Sequence, residues 1–253
     1  MLISPIHAAG CLGKHPPKHD TRTLPLWNYL RPSQLPVAPS SVDFWSKVSN
    51  WPMLGNDHLG DCTVAAAAHM VQQWTSYAGA SITPSDAEVV AAYSAVSGYD
   101  PATGENDNGA AMLDVLNYWR KQGVGQHRIL GYTALTSARP ASVREAIYLF
   151  GSLYAGFNLP ASARTQPVWD VGGSGDTEAG SWGGHAVPLV GYDPQGLVAV
   201  TWGGLKRLTW AFLGAYCDEA FAVLSTEFIN QATHLNPDNF DLISLQRDLR
   251  ILR

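Results

Sequence analysis

Cys62 lies where a turn-forming segment gives way to an apolar one, and its thiol is the side chain best placed to act as a nucleophile. The stretch before it, Gly55-Asn56-Asp57-His58-Leu59-Gly60-Asp61, is rich in turn residues, and the stretch from Thr63 to Met70 is typical of a buried helix. The pattern predicts a helix that begins near Cys62, with Asp61 as its N-cap. A thiol in the first turn of a helix meets the positive end of the helix dipole, which favours the thiolate.

His185 opens an apolar, strand-like segment in the second half of the chain, Gly183-Gly184-His185-Ala186-Val187-Pro188-Leu189-Val190-Gly191-Tyr192. An imidazole beside a thiol can take up its proton and can then protonate the leaving group of an acyl transfer. Cys62 and His185 together therefore predict acyl-transfer chemistry through a thiolate. The competing interpretations are that Cys62 is a small buried apolar residue and that His185 is a polar residue ending a strand.

These segments resemble those of the papain-like cysteine peptidases. Gly60-Asp61-Cys62 is similar to the Gly-x-Cys step that begins the family's buried helix, and the strand from His185 to Tyr192 resembles the family's histidine strand. Thr201-Trp202-Gly203, followed by Trp210 and Tyr216, resembles its closing strand region. Order and spacing agree from about residue 42 to 225. The same helix start and Gly-Gly-His strand also resemble those of bacterial and bacteriophage proteins.

The resemblance implies an α+β fold of the papain-like kind. It consists of a helical half with a buried central helix and a half built on an antiparallel β-sheet, with a cleft between them. The cysteine then lies on the helical side of the cleft and the histidine on the sheet side. The function implied is that of a cysteine hydrolase, most simply a peptidase.

The resemblance also assigns roles around the cleft. The family's oxyanion donor is a glutamine six residues before the cysteine, where this chain has Asn56, and the Cys62 N–H is the second donor. The alternative is that Asn56 stabilises its own turn. Gly60 and Gly109 are expected to bind substrate, Gly109 as the end of the loop Asn106-Asp107-Asn108-Gly109. Trp182 and Trp202 are expected to line the sheet side, although Trp202 could equally pack over the histidine.

The residue that orients His185 is the point at which the chain departs from the family. The family has an asparagine two positions before the Trp-Gly, and alignment on Trp202 places Val200 there. Counting from His185 gives Thr201 instead, and Asp193 is a third possibility, as in Cys-His-Asp acyltransferases. Because an orienting residue fixes the histidine tautomer, two alternatives stay open: a non-catalytic scaffold with a structural, virion or binding role, and a Cys-His acyltransferase or deamidase.

The composition limits the partners of the chain. The net charge is −5 and charged residues make up only 15% of the 253 residues, so neither nucleic acid nor a membrane is an expected partner. A peptide or protein substrate is expected, and the sequence leaves the oligomeric state open. No CxxC, HExxH, phosphate-binding loop or GxGxxG motif occurs, so neither a metal nor another cofactor is expected.

The cysteines and the N-terminal residues indicate the cellular compartment in which the protein is expected. The three cysteines, Cys11, Cys62 and Cys217, argue against a disulfide framework and favour a reducing compartment, although a bridge between Cys11 and Cys217 stays possible. The N-terminal residues show no signal-peptide pattern. We therefore expect the protein in the cytoplasm of a bacterial host or in a virion.

The surrounding elements divide the chain into a Pro-rich arm (1–41), a papain-like domain (42–229) and a polar tail (230–253). After the helix that begins at Cys62, helices are predicted to begin at Thr83 or Ser85, to span 111–122, and to span 142–151 with Ser142 as the cap. Strands are predicted over 153–159, 185–192, 197–202 and 217–225.

Overall fold

The structure, a computed structural model, describes residues 10–20, 23, 37–135 and 139–228. Most helices precede most strands, which is the α+β order that the sequence predicts. The helices are α1 (Cys62–Tyr77), α2 (Asp86–Ser97), α3 (Met112–Lys121), α4 (Pro140–Phe150) and α5 (Trp210–Tyr216). The strands are β1 (Val42–Asp43), β2 (Gly131–Ala134), β3 (Leu153–Leu159), β4 (Val168–Trp169), β5 (Gly183–Asp193), β6 (Gly196–Thr201), β7 (Gly204–Thr209) and β8 (Cys217–Leu224).

The described strands form one sheet in the order β2-β8-β3-β5-β6-β7-β4, with β1 paired to β5. All these pairings are antiparallel except that of β4 with β7. The pairing of β5 with β6 shifts register between Leu189 and Gly191. This shift decides which residue at the end of β6 faces the histidine at the start of β5.

The helix α1 is the central element of the core. Its residues from Cys62 to Thr75 are all buried. Alanines and other apolar residues of the helix itself occupy positions on all its sides, which suits a helix in the protein interior. Near its C-terminal end, Trp74 stacks on Trp119 of α3 with ring centroids 5.6 Å apart and donates to the carbonyl of Phe150. Across the described residues, no helix has both the length and the apolar character needed to span a membrane.

Several element boundaries differ from the prediction. Ser85 caps α2 in a capping box with Glu88, as expected. The helix α4 begins at Pro140, so Ser142 lies inside it and caps nothing, because a proline suits the first helical turn. Residues Trp210–Tyr216 are helical and do not form a closing strand, since Thr209 caps a new helix there. The tail at 230–253 and part of the arm lie outside the described residues.

Asp61 precedes α1 but does not cap it, which corrects the prediction. Its side chain makes no capping hydrogen bond, and neither carboxyl oxygen has a hydrogen-bond partner among the described residues. Desolvation by burial raises the pKa of Asp61 to about 8; the Asn56 side chain opposes the shift only in part, and the nearby charges of Asp107 and Asp57 add to it. Asp61 is therefore largely protonated at neutral pH and places little negative charge beside Cys62.

We predict that Asp61→Asn will weaken the dependence of stability on pH between about pH 4 and 8. The folded carboxyl keeps its proton up to about pH 8, whereas the unfolded one loses it near pH 4, so rising pH destabilises the fold by up to about 1.4 kcal/mol per pH unit. Asparagine cannot titrate and has nearly the same size. Urea unfolding at several pH values measures the slope.

The matched control for this prediction is Asp57→Asn, which removes an exposed carboxylate from the same turn. We expect that variant to keep most of the wild-type slope. A slope that is identical in Asp61→Asn and wild type would contradict the assignment of a protonated, buried Asp61.

Candidate active site

Cys62 lies at the point where the first turn of α1 meets β5. Its side chain is buried, with an exposed fraction of 1%, and the backbone of Ala186, the residue after His185, hydrogen-bonds to it. The turn chemistry before Cys62 and the apolar run after it thus fix the thiol at the start of the helix. The sequence segments that carry Cys62 and His185 are brought together in space.

The imidazole of His185 is held on one side only. Its Nε2 lies 2.7 Å from the hydroxyl oxygen of Thr201, whereas its Nδ1 has no hydrogen-bond partner among the described residues. Trp202 stacks on the ring, with centroids 4.4 Å apart and an interplanar angle of 22°. Trp202 and Gly203 both have positive φ, 44° and 71°, so the tight turn between β6 and β7 sets the indole over the imidazole. The free nitrogen is the one available for proton transfer.

Thr201, and neither Val200 nor Asp193, contacts the far nitrogen of His185. Val200 faces the opposite side of the sheet, where it packs in a separate apolar cluster with Trp51. Asp193 lies eight residues along β5, on the order of 25 Å away, and binds Arg207 with both carboxylate oxygens. Its selection as a possible orienting residue is therefore wrong, because it stabilises the turn between β5 and β6.

Asn56 is positioned at the cleft by its own turn. Its Nδ2 donates to the carbonyl of Leu59 at 3.0 Å and to the carbonyl of Cys11 at 3.1 Å. The first bond serves the turn, and the second holds a peptide carbonyl that lies in the cleft. Trp202 donates from Nε1 to the same Cys11 carbonyl at 3.2 Å. Asn56 therefore stabilises its own turn and also binds a carbonyl of the arm.

Residues 10–15 of the arm lie in the cleft, a feature that the sequence analysis missed. The arm is held from both walls: the N–H groups of Gly13 and Lys14 donate to the carbonyl of Gly184 in β5, and His15 donates to Ala110 on the helical side. The Ala110 N–H donates in return to Gly13 at 2.8 Å. The backbone of Gly13 also lies beside the Cys62 thiol and lowers its pKa.

Three of the predicted substrate contacts touch this arm. A Cβ on Gly13 would lie 1.8 Å from the carbonyl oxygen of Gly60, and a Cβ on Gly109 would lie 1.9 Å from that of Gly13. These glycines therefore allow a backbone approach that no other residue would permit. Trp202 contacts the arm through the Cys11 carbonyl. Trp182, half-buried, packs against Trp202 with centroids 5.3 Å apart, and no hydrogen bond to the arm is seen among the described residues.

Burial keeps both reacting groups neutral while the arm is in place. Desolvation raises the pKa of Cys62 to about 12, and hydrogen bonds from the backbones of Ala186 and Gly13 oppose the shift only in part. Desolvation lowers the pKa of His185 to about 3. The resting pair is therefore a thiol and a neutral imidazole. All three cysteines are free, so no bridge joins Cys11 and Cys217.

Comparison with known proteins identifies the fold. No family model matches the sequence, and no curated protein matches it. The structure is similar to that of xylellain, a cysteine protease from Xylella fastidiosa, with a TM-score of 0.64 at 15% identity over 89% of this chain and 99% of that chain. It is similar to procathepsin B S9 from Trypanosoma congolense, with a TM-score of 0.57 at 14% identity over 85% of this chain and 86% of that chain.

A third similar structure contains the cysteine protease and lectin-like domains of Cwp84 from Clostridium difficile. The TM-score is 0.60 at 12% identity, over 85% of this chain and 56% of that chain. At such identities the likeness establishes the fold, and the reaction must be argued from the site itself. The chain has the fold of the papain-like cysteine proteases, as its Cys62 and His185 segments predict.

Proposed function

We propose that the protein is a cysteine peptidase that uses Cys62 as nucleophile and His185 as general acid and base, and that residues 10–15 hold it latent. The observation that carries the proposal is the state of the His185 ring. Nε2 is bound by Thr201, Nδ1 has no partner among the described residues, and Cys62 lies against the next residue of the strand. A buried histidine with a purely structural role would normally have both nitrogens satisfied.

In the proposed reaction the proton of the Cys62 thiol moves to Nδ1 of His185, and the sulfur attacks the carbonyl carbon of a peptide bond. The imidazolium then protonates the leaving nitrogen, the C–N bond breaks, and a thioester remains on Cys62. Water adds to the thioester with His185 as base and releases the carboxylic acid. These steps restore the thiol and the neutral imidazole.

Thr201 is the proposed positioning residue for His185. When the ring is protonated, Nε2–H must donate, and the Thr201 hydroxyl oxygen can accept that hydrogen bond at the observed 2.7 Å. The hydroxyl can also donate to Nε2, so it fixes the tautomer less strictly than an acceptor-only oxygen would. Trp202 covers the ring and keeps water from this hydrogen bond.

Asn56 is the proposed oxyanion donor, together with the N–H of Cys62. Its amide already holds a peptide carbonyl in the cleft, that of Cys11, while its second hydrogen is bound to Leu59. A donor of this kind stabilises the negative oxygen of a tetrahedral intermediate and typically contributes about 3 kcal/mol to the barrier reduction.

The arm is proposed to be an inhibitor and not a substrate. The backbone of Gly13 lies beside the Cys62 sulfur and lowers the thiol pKa, while its N–H donates to the Gly184 carbonyl at 3.2 Å. The carbonyl held by Asn56 belongs to Cys11, two residues before Gly13. In this placement the Gly13 carbonyl is bound by the Ala110 N–H and the Cys11 carbonyl by Asn56 and Trp202, so the cleft is filled by the arm.

We predict that Gly13→Ala will displace the arm and expose Cys62. The added methyl group would lie 1.8 Å from the Gly60 carbonyl oxygen, so the arm cannot dock as it does in the wild type. Once water reaches the thiol, its pKa falls from about 12, and the thiolate fraction at pH 7.5 rises. Alkylation of Cys62 by iodoacetamide, followed by mass spectrometry, should become at least about tenfold faster.

The pH profile of alkylation should also move to lower pH in Gly13→Ala. The control is Gly214→Ala in α5, where an added Cβ meets no atom within 4 Å, and its alkylation rate should equal that of the wild type. A folded Gly13→Ala protein with an unchanged rate would show that the arm does not limit access to Cys62.

The peptidase itself is tested with the full-length Gly13→Ala protein and a mixture of synthetic peptides. We expect cleaved products that disappear when Cys62→Ser or His185→Ala is added to the same background, because either change removes a reacting group. Mass spectrometry of the products measures cleavage. Absence of cleavage with a fully reactive Cys62 would refute the peptidase, and the non-catalytic scaffold or an acyltransferase would then replace it.

We predict that Thr201→Val will slow both Cys62 alkylation and peptide cleavage by about tenfold or more, since the imidazolium loses its acceptor. Loss of the buried hydrogen bond should also cost about 1–3 kcal/mol of unfolding free energy. Both rates should be measured in the Gly13→Ala background, where the thiol is accessible.

The matched control for Thr201→Val is the reverse exchange at the neighbouring position, Val200→Thr. It places a hydroxyl on the opposite face of β6, in the cluster around Trp51. That variant should lose stability without a change in Cys62 reactivity. Equal loss of reactivity in the two variants would mean that Thr201 acts only through the stability of the strand.

A further inference from the structure

In the described part of the arm, the side chain of Lys14 enters the body of the protein. Its side chain is fully buried, and its ammonium nitrogen lies 2.8 Å from Oδ2 of Asp218 and 3.3 Å from Oε1 of Glu219. It also donates to the carbonyl of His15 at 3.1 Å. A lysine is almost never fully buried unless it is paired, so this pocket is built around a cation.

The site that the Lys14 side chain occupies has an acidic end. A Cβ on Gly156 of β3 would lie 2.1 Å from Cε of Lys14 and 2.7 Å from the sulfur of Met112, so the absence of a side chain at Gly156 makes room for the aliphatic stem. Asp218 and Glu219 come from the start of β8, which pairs with β3 at this point. The walls are thus apolar and the end is doubly acidic.

The backbone of Lys14 lies where a bound peptide would be gripped. Its N–H donates to Gly184, the residue before His185, and it pairs with Ala110 on the opposite wall. Gly13, the residue before it, lies beside Cys62 and lowers the pKa of its thiol. A peptide held between the same two walls beside Cys62 would therefore direct one side chain into this pocket.

The site keeps two carboxyl groups and loses its cation when the arm is away, and desolvation raises the pKa of Glu219 to about 7 even with Lys14 in place. With Lys14 present, one ammonium group faces two carboxyl groups, and Oδ1 of Asp218 has no hydrogen-bond partner among the described residues. Without Lys14, two adjacent and largely buried carboxyl groups have no cation. A guanidinium group, with its several donors in a fork, could use the unpartnered oxygen as well.

We infer that Asp218 and Glu219 form a specificity pocket for a lysine or arginine side chain of the peptide substrate, and that Lys14 occupies it as an internal substitute. The inference rests on the peptidase function proposed above. It adds the substrate class, which is peptides with a lysine or arginine next to the substrate residue that lies beside the Cys62 sulfur. It also names Asp218 and Glu219 as the two residues that bind this basic side chain.

The cation requirement can be tested in the intact chain, without any catalysis. Cys62 alkylation reports whether the arm is docked, so Lys14→Arg should stay as protected as the wild type. Lys14→Met has a similar length but no charge, and it should become at least about tenfold more reactive, because a buried carboxyl pair loses its counter-ion. In an Asp218→Asn, Glu219→Gln background, Cys62 should be protected from alkylation at least as well with Met at position 14 as with Lys.

Substrate selection is tested by cleavage of a mixed peptide library with the full-length Gly13→Ala protein. Mass spectrometry of the products scores lysine and arginine at every position on both sides of the cut. At one position, one residue removed from the cleaved peptide bond, we expect lysine and arginine to be enriched about tenfold over the library. The enrichment should be lost in the Asp218→Asn, Glu219→Gln background.

The two measurements separate the inference from the proposed function. Equal protection by Lys14 and Lys14→Met would overturn the cation pocket, as would cleavage without a basic preference. Absence of all cleavage, together with loss of protection in Lys14→Met, would refute the peptidase and the substrate class with it, and would leave a cation pocket that serves only to dock the arm.

Discussion

The contact between the first turn of α1 and the strand β5 is the constraint on which the rest of the molecule depends. It places a thiol against the backbone beside a histidine and buries both groups almost completely. Burial of two groups that must exchange a proton favours their neutral forms. The surroundings follow from this requirement: a single hydroxyl holds the ring, an indole covers it, and the neighbouring Asp61 is itself kept protonated.

The parts of the fold that the sequence predicts well are those set by neighbouring residues. The start of α1, the Ser85 cap of α2 and the strand beginning near His185 all depend on short segments with recognisable turn, cap or strand chemistry. The prediction that Ser142 caps the start of α4 is wrong for a related reason, because Pro140 two residues earlier already suits the first helical turn. Local rules conflict there, and only the structure decides between them.

The parts that the sequence does not predict depend on register and on distant contacts. Whether Val200 or Thr201 faces His185 depends on a register shift between β5 and β6, which moves side chains from one face of a sheet to the other. The docking of the arm depends on partners that are far away in the chain, and a Pro-rich segment has no periodicity that reveals them. A lysine such as Lys14 is normally expected at the surface.

Because the arm and the cleft belong to one chain, their association is intramolecular and does not weaken when the protein is diluted. A tethered segment of this kind has an effective concentration in the millimolar range, so even modest intrinsic affinity keeps the cleft filled. A single break in the backbone between residue 15 and β1 would convert the same contacts into a bimolecular complex. At low protein concentration the arm would then dissociate and stay away, so one irreversible cut would produce a permanent change of state.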